Sequence, residues 1–107
     1  LLTCMANDYG YESVYAQPLA TLLDEGDLLI AVSSSGNSQN IINAVETARK
    51  KQVKCLVLSA FEKSNKLNNA TTDISIYLPC KLYGHAEVGH EAILHAAIET
   101  LWLEQQK

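Results

Sequence analysis

Apolar residues run unbroken through Leu28-Leu29-Ile30-Ala31-Val32 and again through Cys55-Leu56-Val57-Leu58, while between them they recur at Ile41, Ile42, Val45 and Ala48. Short unbroken runs mark strands covered on both faces, and a three-to-four spacing marks a helix. The pattern predicts strands at 28–32 and 53–58 joined by a helix over 38–51. Asp73 to Leu78 alternates and is closed by Pro79, predicting an edge or half-exposed strand. Upstream, residues 1–23 read as helical, interrupted around Tyr9-Gly10 and kinked or restarted by Pro18. Gly26 is placed to cap that helix before a turn. Residues 62–70, rich in Asn, predict a short helix or loop, and the longest helix runs from about His85 to Glu104.

Strands alternating with helices over short links predict an α/β fold, a three-layer αβα arrangement on a parallel sheet of only three strands. In such sheets ligands bind outside the C-terminal ends of the strands. Ser33-Ser34-Ser35-Gly36-Asn37-Ser38 lies at one of those ends. The first turn of the following helix leaves N–H groups unpaired, and its dipole favours an anion there. The hydroxyls add donors, so the stretch is either a phosphate cradle or a serine-rich turn with Ser38 as N-cap. It contains neither G-x-x-x-x-G-K-[ST] nor G-x-G-x-x-G.

The last helix is apolar on nearly every side, from Val88 through Ile93, Leu94 and Ile98 to Leu101, Trp102 and Leu103. Such a helix is expected to pack on the sheet and on another chain. One polar stripe crosses it at Glu87, Glu91, His95 and Glu99. The residue pattern alone favours a solvent face, the alternative being a carboxylate–imidazole pair that moves protons or shares a metal. His90 lies about 140° around the helix from His95, at roughly 100° per residue, so the two are not expected to share a ligand.

Composition narrows the choice. Among 107 residues, 48% are hydrophobic and 19% charged, the balance of one globular domain. A net charge of −4 argues against a nucleic-acid surface. Cys4, Cys55 and Cys80 form no C-x-x-C pair and suit a reducing cytoplasm, with Cys55 as a buried thiol. No apolar run reaches the length of a membrane span.

Asn7-Asp8-Tyr9-Gly10-Tyr11, the Glu25–Leu29 entry and the Ser33–Ser38 loop together resemble the sugar-isomerase (SIS) domain, with its flavodoxin-like fold, in its phosphoheptose isomerase branch. The resemblance implies an aldose–ketose isomerase that interconverts sedoheptulose 7-phosphate and D-glycero-D-manno-heptose 7-phosphate in the cytoplasm. It implies that Ser33, Ser34, Ser35 and Ser38 contact the sugar phosphate and that Asn7 and Asp8 bind the sugar. It also implies zinc and catalytic roles for Glu87 and His95, Glu87 standing where the branch has Gln and also touching substrate. A homotetramer built through the last helix is implied as well. The family places a helix, two strands, a G-N-G-[GT]-S loop and a His-x-x-x-Glu pair before this point. Residues 1–107 are therefore expected to be the C-terminal portion of a single SIS domain, inactive alone. Two other SIS roles compete: a non-catalytic module of the DnaA-initiator-associating type, and a sugar-phosphate-sensing domain.

Overall fold

The computed structural model describes residues 1–107. Three parallel strands, β1 (Leu28–Ser33), β2 (Lys54–Ala60) and β3 (Ile74–Leu78), lie side by side in chain order. Leu28 pairs with Lys54 and Ser33 with Ser59, and Leu56 to Ala60 of β2 pair with Ile74 to Leu78 of β3. Before the sheet come α1 (Leu2–Tyr9), a 3-10 turn (Tyr11–Ser13) and α2 (Ala16–Leu22). The crossovers carry α3 (Gln39–Lys50) and the short α4 (Lys66–Asn69), and α5 (Tyr83–Gln105) closes the chain.

The helical restart at Pro18 has a simple cause. Pro18 is the third residue of α2, where a missing N–H breaks no intrahelical bond. Gly26 does not cap that helix. α2 ends at Leu22 with an extended Leu23 behind it, and Gly26, at φ +94°, belongs to the Asp24–Asp27 turn. The Asp27 carboxylate closes this turn by accepting from the Asp24 N–H at 2.8 Å.

One face of the sheet is covered by α2 and α3. There Ala31, Cys55 and Val57 meet Val45, Ala48 and Leu67 in a common core. Each fully buried aliphatic side chain contributes about 1.5–3 kcal/mol. The other face is covered by α5, chiefly over β2 and β3. Leu28, Ile30 and Val32 of β1 remain 57%, 44% and 39% exposed on that side, so the expectation of a strand covered on both faces fails for β1 within this chain. The outer edge of β1 is unpaired, and beside it lies an apolar groove of about 370 Å³ lined by Leu19, Leu22, Leu29, Ala31 and Ile41. Asp73, just before β3, accepts the Cys55 N–H at 2.8 Å and pairs with Lys54 at 3.3 Å. These two contacts hold its carboxyl below the usual range.

Candidate functional site

The loop from Ser33 to Ser38 lies at the C-terminal end of β1 and opens α3. It is pinned from the end of β2 and from the start of α4. The Ala60 N–H bonds the Ser34 carbonyl at 2.9 Å, and the Leu67 N–H bonds the Gly36 carbonyl at 2.8 Å. The Lys66 N–H bonds the Asn37 side chain at 3.0 Å. Ser33 is buried, and its Oγ accepts the Gly36 N–H at 3.1 Å. Ser35 Oγ accepts the Asn37 N–H at 3.2 Å. Two of the four serines thus brace the loop's own backbone.

The other two are spare. Ser34 Oγ makes no intramolecular hydrogen bond, and Ser38 stands at the N-cap of α3 without capping it, its Oγ meeting only Ser33 Oγ at 3.5 Å. The N–H groups of Ser35, Ser38, Gln39 and Asn40 also have no acceptor within the chain. The Ser38 hydroxyl and the spare N–H groups of Ser38, Gln39 and Asn40 stand at the positive end of a 12-residue helix, with Ser34 four residues earlier in the same loop. That arrangement accepts an anion through neutral donors, without a Lys or Arg in the loop. An open hollow of about 430 Å³, lined by Tyr11, Glu12, Ser38, Gln39 and Asn40, adjoins it. The groove along β1 is almost wholly apolar, which makes it a packing surface and not a place for a charged sugar.

Asn7 and Asp8 are exposed at the C-terminal end of α1, with Asn7 Nδ2 donating to Asp8 Oδ1 at 3.0 Å. No hydrogen bond joins them to the serine loop. Between them lies the 3-10 turn, whose Glu12 carbonyl accepts from Asn43 Nδ2 of α3 at 3.0 Å. Glu87 and His95 are exposed on α5. His95 Nε2 lies 3.7 Å from Glu91 Oε1, one turn away, and does not meet Glu87. A catalytic zinc takes three protein ligands, and no three His, Cys, Asp or Glu side chains of this chain are grouped to hold one. Glu87 and His95 offer suitable donor atoms, yet the chain by itself does not make a zinc centre.

Residues with no motif signal complete the picture. Asn65 is 2% exposed, and its Nδ2 donates to Ser59 Oγ at 3.1 Å while its Oδ1 caps α4 by accepting the Asn68 N–H at 2.7 Å. His90 is equally buried, with Nε2 2.9 Å from the Ser59 carbonyl. Asn65 is one of several Asn in a polar stretch, and nothing local distinguishes it. His90 carried a signal, since it falls on the side of α5 that also bears Ala86 and Ile93.

A three-stranded parallel sheet with a hydroxyl-rich loop opening the first crossover helix defines an α/β domain with an anion-accepting loop at a strand end. Residues 2–60 match the SIS domain family model, and the chain belongs to the SIS domain family. Within it, the chain is 35% identical over 107 residues to the phosphoheptose isomerase of Buchnera aphidicola, covering 99% of this chain and 54% of that protein. It is 37% identical over 109 residues to the phosphoheptose isomerase of Photorhabdus laumondii, with the same coverage. The phosphoheptose isomerase structure from Neisseria gonorrhoeae superposes with a TM-score of 0.82 at 30% identity, covering 89% of this chain and 53% of that one. That from Francisella tularensis gives 0.81 at 31%, covering 89% and 50%. The chain spans about half the length of the relatives it matches.

Proposed function

We propose that this chain supplies the phosphate-anchoring part of a phosphosugar aldose–ketose isomerase, with sedoheptulose 7-phosphate and D-glycero-D-manno-heptose 7-phosphate as the interconverted pair. The observation that carries this reading is that one loop holds the spare Ser34 and Ser38 hydroxyls and leads straight into the unpaired N–H groups opening α3. A phosphate held there fixes the far end of the sugar, which brings the reacting carbons into register. Asn7 and Asp8 would bind sugar hydroxyls. In the reaction a base takes a proton from C1 of the ketose while the C2 carbonyl oxygen is protonated. The resulting enediol takes up a proton at C2 and releases the O1 proton, leaving the aldehyde. His95 is the acid–base candidate on this chain, with Glu87 beside the sugar. A zinc ion held partly by Glu87 and His95 would need ligands from beyond these residues, so no step is routed through it.

The same reading includes a homotetramer formed through α5 in the cytoplasm. Ile98, Leu101, Trp102 and Leu103 are 57–65% exposed, an apolar surface that suits a helix-to-helix interface. No helix of the chain is long and apolar enough to cross a membrane.

The test is turnover of sedoheptulose 7-phosphate by the full-length protein, with and without a chelator, beside His95→Ala. Turnover that falls at least about a hundredfold in His95→Ala is expected of an acid–base group. No turnover by the wild type would sink the isomerase reading in favour of a binding module.

A further inference from the structure

α5 runs for 23 residues, yet only Ala86 and His90 are buried. The helix is seated through these two and Gly89, where a Cβ would overlap the Leu78 side chain of β3. From Glu91 onward none of its residues is buried. The helix is thus seated most deeply along one short patch, flanked by the edge-on contact of Tyr83 with Phe61 and by half-buried Ile93 and Leu94, and His90 is the one polar member of that patch.

The chemistry of that contact is directional. The Ser59 carbonyl can only accept, so the proton of the imidazole is on Nε2 and the 2.9 Å contact is a donated hydrogen bond. Nδ1 is then an acceptor, buried and without a partner. A residue serving only to fill space would be Leu or Phe, which bury no unpaired nitrogen. Ser59 is also where the serine loop is rooted. It pairs with Ser33 across the sheet, and its Oγ accepts from Asn65. One bond thus ties α5 to the strand ends from which the loop hangs. Rotating α5 by a single residue, roughly 100°, would carry Glu87 and His95 to a different side.

We propose that His90 is a positioning residue, whose Nε2–H bond to the Ser59 carbonyl sets the rotation and height of α5 and so places Glu87 and His95 relative to a phosphate held by the serine loop. This rests on the sugar-phosphate reading above.

The test compares wild type, His90→Phe, which keeps bulk without a donor, and His90→Gln, which restores an amide donor at similar reach. Each is titrated with inorganic phosphate and with sedoheptulose 7-phosphate. Phosphate affinity is expected to stay level across the three. Affinity for the sugar phosphate is expected to fall about tenfold in His90→Phe, the worth of a well-made hydrogen bond, and to recover in His90→Gln. Equal losses for both ligands, or no loss for either, would overturn the proposal. Should the wild type bind neither ligand, the sugar-phosphate reading fails, and amide exchange without ligand still decides the role of His90. Faster exchange confined to the first half of α5 in His90→Phe, reversed in His90→Gln, supports it, and unchanged exchange overturns it. If His90→Phe does not fold, the imidazole ¹⁵N spectrum of the wild type stands in. An Nε2–H tautomer with a slowly exchanging proton is expected, and an Nδ1–H tautomer would refute the assignment.

Discussion

Gly36 lies so close to Asn65 that a Cβ on the glycine would fall inside the asparagine's side-chain amide. The two are also linked through the backbone, because the segment that Asn65 opens sends the Leu67 N–H to the Gly36 carbonyl. The serine loop therefore does not float above the sheet but is moulded against a buried amide.

Gly36→Ala is expected to damage fold and site together. At φ +67° a side chain costs about 1–3 kcal/mol in backbone strain alone, before Asn65 is displaced. Urea unfolding should show at least that loss, and phosphate titration should show weaker binding. Stability unchanged from wild type would mean that the contact is softer than described.

Ser33 and Ser38 should separate stability from binding. Ser38→Ala removes a hydroxyl the fold does not use for capping, so stability should change by less than about 0.5 kcal/mol. Its affinity for sedoheptulose 7-phosphate should still fall about tenfold. Ser33→Ala removes one of the two acceptors of the Gly36 N–H, leaving the Ser33 carbonyl, and should cost up to roughly 1 kcal/mol of stability. Thermal melts beside ligand titrations check both, and a reversed pattern would exchange the roles assigned to the two serines.

Asp73 gives the fold an acid limit. The Cys55 N–H first, and then Lys54, lower its pKa below the ordinary 3.8. A lowered folded-state pKa contributes stability that is present above the unfolded value and lost as pH falls through the folded one. The wild type should therefore lose stability between pH 4 and the acid limit more steeply than Asp73→Asn, which cannot titrate. Urea midpoints over that range measure the difference, and parallel curves would remove Asp73 from the account.

The thiols should react in order of exposure. Burial first, and the Asp73 charge second, push the Cys55 pKa up, while Cys4 is exposed. A disulfide reagent at pH 8 should modify Cys4 quickly and Cys55 only after urea unfolds the chain. Rapid modification of Cys55 in the native protein would contradict its place in the core.

Much of the architecture was legible because it is local. The unbroken runs at Leu28–Val32 and Cys55–Leu58 became parallel strands, each pair joined across a helix, and Ser38 opened α3 as its spacing predicted. Where the reading fell short, the deciding quantity was nonlocal. Continuous apolarity signalled two covered faces for β1, but coverage depends on what packs there, and within this chain α5 packs chiefly on β2 and β3 and leaves Leu28, Ile30 and Val32 exposed. Gly26 had the composition of a helix cap, yet the helix had already ended at Leu22.

The candidate site divides along the same line. Hydroxyl type, glycine position and the approach of a helix N-terminus follow from consecutive residues, so the sequence by itself determined that Ser33–Ser38 could hold an anion. Only the tertiary structure decided which serines are free to do so, because Ser33 and Ser35 are engaged by the loop's own backbone while Ser34 and Ser38 are not. It alone brought Asn65, six residues on, and His90, 31 residues on, together at Ser59. Those bonds depend on strand register and helix seating, and neither is written in the spacing of any single segment.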